Sequence, residues 1–170
     1  MLKELLNKIK DLVKQEQDNR LKVEGTLSAR LFKLDGKIID LGILGKKVVT
    51  TAGVNYMVDG FQNSTTSPIS DFKYHDSGTG TTAEAVGDTA LVTPCAEARD
   101  TGSLTEGATA NIFKTVATHT YAGTFAITEH GLFSAATVGT LWDRTVFGAV
   151  NVVSGEKIEF TYQLTCTAGG

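Results

Sequence analysis

The sequence is poor in the residues that usually announce a small specialised domain. It has two cysteines, Cys95 and Cys166, far apart and in no CxxC pair. That excludes a disulfide framework and a Cys-built structural zinc site. No apolar run approaches the ~18 residues of a membrane-spanning helix. The start, Met1-Leu2-Lys3-Glu4, is charged and amphipathic, unlike a secretory h-region, so reduced thiols are the expectation. Neither sign of charge dominates: 16 basic and 19 acidic side chains give a net charge of −3. The basic residues alternate with Glu and Asp and lack aromatic neighbours, so nucleic acid is not an expected partner. Two prolines against 18 glycines point to strands joined by tight turns rather than to a disordered chain. At 170 residues, a single domain buries roughly 70% of its unfolded surface and needs no covalent staple.

Threonine is what the chain has in abundance. There are 24, and all but Thr26 lie between Thr50 and Thr167. A β-branched side chain suits a pleated, half-exposed strand and disfavours a helix interior, so the last two-thirds read as all-β. Charge divides at the same place. Residues 1–50 carry eleven Lys/Arg and seven acids; residues 51–170 carry five and twelve. A near-neutral total thus conceals a basic N-terminal part and an acidic remainder.

Two units follow. In residues 1–19, Leu2, Leu5, Leu6, Ile9, Leu12 and Val13 recur at i, i+3, i+4 and i+7, with Lys and Glu opposite, which predicts an amphipathic helix over Leu2–Gln17. A helix this short is marginal alone in water, so the stripe is expected to serve oligomerisation or attachment, unless it docks on its own body. Residues 20–170 are expected to form a β-rich body with a short helix near 51–62. That helix would be capped by Thr50 or Thr51, with Val54, Met57, Val58 and Phe61 along one stripe. Leu34-Asp35-Gly36-Lys37-Ile38 predicts a hairpin closed by a two-residue Asp-Gly turn, and Ile69–Tyr74 a short strand.

The strongest β signal is at the end. Ile158, Phe160, Tyr162, Leu164 and Cys166 alternate with Lys157, Glu159, Thr161, Gln163 and Thr165, giving one face on the core and one in water, with Cys166 a buried thiol. Ile112–Tyr121, Phe125–Phe133 and Leu141–Val153 predict three further strands. The expected fold class is mainly β: an antiparallel β-sandwich or jelly-roll-like body with an N-terminal amphipathic helix.

Little in the sequence points to catalysis or a cofactor. Ser77-Gly78-Thr79-Gly80-Thr81-Thr82 lacks the Lys and hydroxyl ending of a phosphate loop. His75, His119 and His130 show no ligand spacing, and His75-Asp76 and Glu129-His130 point their members to opposite faces of a strand. Catalytic, cofactor-binding and metal residues are therefore not expected. Two charges do interrupt apolar strand faces: Glu129 among Phe125, Ile127, Gly131 and Phe133, and Arg144 among Trp142, Val146, Val150 and Val152. Buried alone each would be costly, which predicts a structural Glu129–Arg144 ion pair, across strands or at an interface.

Two segments resemble known proteins. His75-Asp76-Ser77-Gly78-Thr79-Gly80-Thr81-Thr82-Ala83-Glu84-Ala85 through Gly87-Asp88-Thr89-Ala90-Leu91 is similar to a segment that recurs in small virion proteins of tailed bacteriophages. Ala126-Ile127-Thr128-Glu129-His130-Gly131-Leu132-Phe133, followed by Thr140-Leu141-Trp142-Asp143-Arg144 and Phe147, resembles a second stretch of those proteins. The likeness extends over about residues 46 to 170. It implies a non-enzymatic virion component, with a capsid decoration or cement protein first among the roles. That role implies the major capsid protein or other virion proteins as partners, a homo-oligomer with a trimer favoured, no membrane, and location in the virion after assembly in the bacterial cytoplasm. A tail, collar or fibre-attachment protein is the alternative. A receptor- or glycan-binding module fits less well, because the lone Trp lies within a strand.

Overall fold

The computed structural model describes residues 3–4, 21–62, 65–66 and 68–167. The helix-stripe residues Leu2, Leu5, Leu6, Ile9, Leu12 and Val13 lie outside the described residues. Of that segment only Lys3 and Glu4 are described, and both are helical and exposed.

The body is mainly β, with half of the chain in strands arranged as two antiparallel sheets. The strands are β1 (Lys22–Phe32), β2 (Ile38–Val49), β3 (Tyr74–Gly78), β4 (Asp100–Thr101), β5 (Thr105–Glu106), β6 (Ile112–Thr120), β7 (Phe125–Phe133), β8 (Leu141–Val152) and β9 (Lys157–Thr167). One sheet runs β2-β1-β9-β6-β5 and the other β4-β3-β7-β8, joined because the end of β2 also pairs with β8. That junction is short, Val48 opposite Arg144 and Val49 opposite Asp143. The body is therefore sandwich-like, with β2 passing from one layer to the other.

Period-two patterning places the core. Leu27, Ala29 and Leu31 of β1 and Ile158, Phe160, Tyr162 and Leu164 of β9 face Ile127, Leu132, Trp142, Phe147, Val150 and Val152 of the other sheet. Trp142 Nε1 donates to Tyr162 Oη across the layers at 2.9 Å, which satisfies the indole of a fully buried ring. Cys166, at the end of β9, is only partly buried; the alternation holds, but the last core-facing position lies at the edge of the core.

Two local expectations are corrected. The β1–β2 loop has three residues, because Lys33 N–H donates to Lys37 O while Gly36 N–H donates to Lys33 O. Gly36 takes φ +84°, the left-handed position that ends such loops. Ile69–Asp71 is a 3-10 turn, and strand structure begins only at Tyr74.

The helix α1 spans Thr51–Gln62, where it is expected. Thr50 caps it, its Oγ1 accepting from Gly53 N–H at 3.0 Å. Packing divides its apolar stripe: Met57 lies against the core, and the rest stays at the surface. Gly53 is buried and Tyr56, Met57 and Gly60 are half-buried, whereas Val54, Val58 and Phe61 are exposed. The reason is steric: a Cβ at Gly53 would sit 3.0 Å from both Cα and O of Trp142. Glycine lets the helix backbone press against β8, and that contact decides which face turns inward.

Candidate functional site

The residues singled out as Glu129 and Arg144 come together: Arg144 Nε donates to Glu129 Oε2 at 2.9 Å, with the two side chains 0% and 1% exposed respectively for the acid and the base. The pair is not in the sandwich core. Register shifts between Ile127 and Glu129, and between Leu132 and Phe133, interrupt the β7–β8 ladder. Such bulges change which face successive side chains take. Ile127 and Leu132 enter the main core, while Phe133 and Leu141 form a separate cluster with Leu91. Glu129 is buried on that second side, beneath the irregular segment 79–93.

That segment is held by the carboxylate. Glu129 Oε1 accepts from Thr93 N–H at 2.7 Å and Gly80 N–H at 3.1 Å, and Oε2 accepts from Val92 N–H at 3.1 Å. Arg144 completes the arrangement. Its Nη1 donates to Asp88 Oδ2 and its Nη2 to Thr82 O, each at 3.0 Å. Burial by itself lowers the pKa of the guanidinium, but the Asp88 and Glu129 carboxylates outweigh it and raise the value above the ordinary one. Charge-assisted bonds of this kind are the stronger ones, and here they satisfy loop amides that would otherwise be stranded.

Gly78 and Gly80 make the approach possible. A Cβ on Gly80 would collide with the Glu129 carboxylate, and one on Gly78 would lie 2.7 Å from Glu129 Oε1. The Gly/Thr run is therefore a cradle for a carboxylate of the same chain. A second pin lies nearby: Arg99 Nε donates to Asp76 Oδ2 at 3.1 Å, its Nη1 donates to Ala135 O and Val138 O, and its guanidinium covers the Phe133 ring at 3.4 Å.

The histidines occupy the interior between the sheets. His75 and Asp76, and likewise Glu129 and His130, point to opposite sides, as strand geometry requires. His75 and His130 nevertheless meet, Nδ1 to Nε2, at 3.0 Å, and His75 Nε2 lies 3.0 Å from Thr115 Oγ1. Sequence reasoning missed this junction, because the two rings stand 55 residues apart on strands linked only through tertiary pairing. Burial pushes the His75 pKa down to about 3. His130 is also held well below its ordinary value, first by burial and then by His75 and His119. Both are neutral at pH 7.

His119 is buried against the Tyr121 ring, with Asp100 Oδ2 2.5 Å from its Nδ1. Ser77 and Tyr121 join their hydroxyls at 3.0 Å. Among the described residues no group of three or more His, Cys, Asp or Glu side chains is arranged to hold a metal ion, and Cys95 and Cys166 are free thiols. Burial raises the Cys95 pKa to about 11, which keeps it protonated. Among the described residues no helix is long and apolar enough to cross a membrane.

Fold and site together define an antiparallel β-sandwich-like body whose irregular segment 79–93 is tied down by a buried carboxylate–guanidinium pair. No protein-family model matches the chain, and comparison with curated proteins and with solved structures likewise finds no match.

Proposed function

We propose that the chain is a non-enzymatic structural protein of a tailed-phage virion, a capsid decoration or cement protein that binds across neighbouring capsid subunits. One observation supports the reading. The two segments that resemble phage virion proteins meet at one place: Glu129 and Arg144, from one segment, bind Gly80, Thr82 and Asp88, from the other. The shared residues are thus those that set the shape of this body. Their charges are spent on its own backbone, which suits a part whose work is mechanical. The protein adds contact area between capsid subunits and so resists internal pressure, as a symmetric oligomer, with a trimer at local threefold positions the natural form.

Immunogold labelling or cryo-EM of virions tests the proposal. Density over the head, together with binding to expanded empty heads, is expected. Label confined to the tail or collar replaces the reading with an attachment role, and absence from the particle overturns both. Analytical ultracentrifugation of the isolated chain tests the trimer.

A further inference from the structure

The outer side of α1 is apolar and leads into a cavity of about 260 Å³. Phe72, Leu132 and Trp142, all fully buried, form its floor, and Leu21, Phe61 and Ile69, all exposed, form its rim. Phe61 is 75% exposed, and Val54 and Val58 continue the apolar strip along the helix at 42% and 45%. A contiguous apolar surface around an apolar cavity marks a place where something docks.

We propose that the occupant is the chain's own N-terminal segment 2–17, which lays its Leu5, Ile9 and Leu12 face over the cavity and the Val54–Val58–Phe61 strip. Position is the first argument. Leu21 lines the rim, and only Asp18, Asn19 and Arg20 separate it from Gln17. The four chain steps from Gln17 to Leu21 reach ~14 Å at most, so the last turn of the segment starts beside the cavity of its own subunit. Pattern is the second argument. The segment spells one apolar stripe, is ~24 Å long as a helix, and is too short to persist uncovered in water. Lys3 and Glu4, off that stripe, are helical and exposed. Charge is the third: Asp59 is the sole charged side chain of α1, so nothing there repels the segment's four lysines. The inference is independent of the virion proposal and assigns the stripe to the body in place of the attachment role expected from sequence.

Cys166 lines the same cavity and provides the test. In full-length protein carrying Cys95→Ser, Leu12→Cys is oxidised with copper phenanthroline and analysed by non-reducing electrophoresis and mass spectrometry. Asp11→Cys, on the opposite face of the same turn, is the control. The expected result is an intramolecular disulfide between position 12 and Cys166 in the monomer band, with at least a tenfold lower yield from position 11. Disulfide-linked dimers would assign the groove to the segment of a second copy and overturn the proposal, as would equal yields from the two positions or no bridge. As a second measurement, Leu5→Asp with Ile9→Asp in the Cys95→Ser chain should raise the reaction rate of Cys166 with Ellman's reagent at least tenfold. An unchanged rate in folded protein overturns the proposal.

Discussion

At the scale of single residues, the Glu129 carboxylate is heavily committed. It accepts three backbone N–H bonds and one from a guanidinium. Glu129→Ala leaves those amides and Arg144 Nε without an acceptor, with Asp88 the one carboxylate still on the guanidinium, so a loss of about 3–5 kcal/mol is expected in urea unfolding at pH 7. Glu129→Leu combined with Arg144→Met removes both charges, and the double variant should lose less than the two single losses added together. The histidines make a separate prediction. His75 titrates near 6.5 when unfolded and is held to about 3 when folded. The unfolded chain therefore takes up a proton first, and stability that is complete above pH 6.5 declines as pH falls toward 3. The slope is about 1.4 kcal/mol per pH unit for each such histidine. His75→Asn should flatten the curve of unfolding free energy against pH by one proton between pH 6 and 4, and an unaltered slope would show that His75 is not held neutral.

At the scale of elements, patterning was legible where one face is wet and unreadable where backbone decides. β9 follows from its alternation, because Lys157, Glu159, Thr161, Gln163 and Thr165 mark the solvent side. The buried charges of β7 and β8 were legible as interruptions of an apolar face. Their location was not, since bulges carry no side-chain signature and the donors that surround Glu129 are main-chain amides. The packed face of α1 is not legible from its apolar stripe for the same reason: Gly53 and Gly60 contribute nothing to such a stripe yet occupy the packed face. Gly53→Ala is accordingly expected to destabilise by about 1–3 kcal/mol through overpacking against Trp142. That is opposite in sign to the ~1 kcal/mol that alanine gains in a free helix, and thermal unfolding decides between them. Gly36→Ala, at φ +84°, should cost about 1–2 kcal/mol without altering the rest of the fold.

At the scale of the whole molecule, the two layers are built from pairings distant in sequence. β1 pairs with β9 across more than 120 residues, as with Leu27 opposite Tyr162, and closing such loops precedes any reward from the contacts. Refolding on the millisecond-to-second scale typical of sandwiches is expected, and stopped-flow fluorescence of Trp142 would measure it. The charge division seen along the chain persists in space only in part. Arg30 pairs with Glu159 and Lys33 with Glu156, so some of the basic N-terminal part is neutralised on the acidic strands, a cancellation the linear count could not reveal.

The segment 79–93 has an irregular backbone, and such segments ordinarily exchange their amide hydrogens with solvent within seconds. Here the amides of Gly80, Val92 and Thr93 end on one buried carboxylate. They share one buried acceptor, itself held by Arg144, so all three should become labelled with deuterium together. Their rate should match that of core strand amides in β7 rather than that of the β1–β2 loop. A stretch that secondary structure alone would class as the softest part of the body would then rank, in its dynamics, with the centre of a sheet.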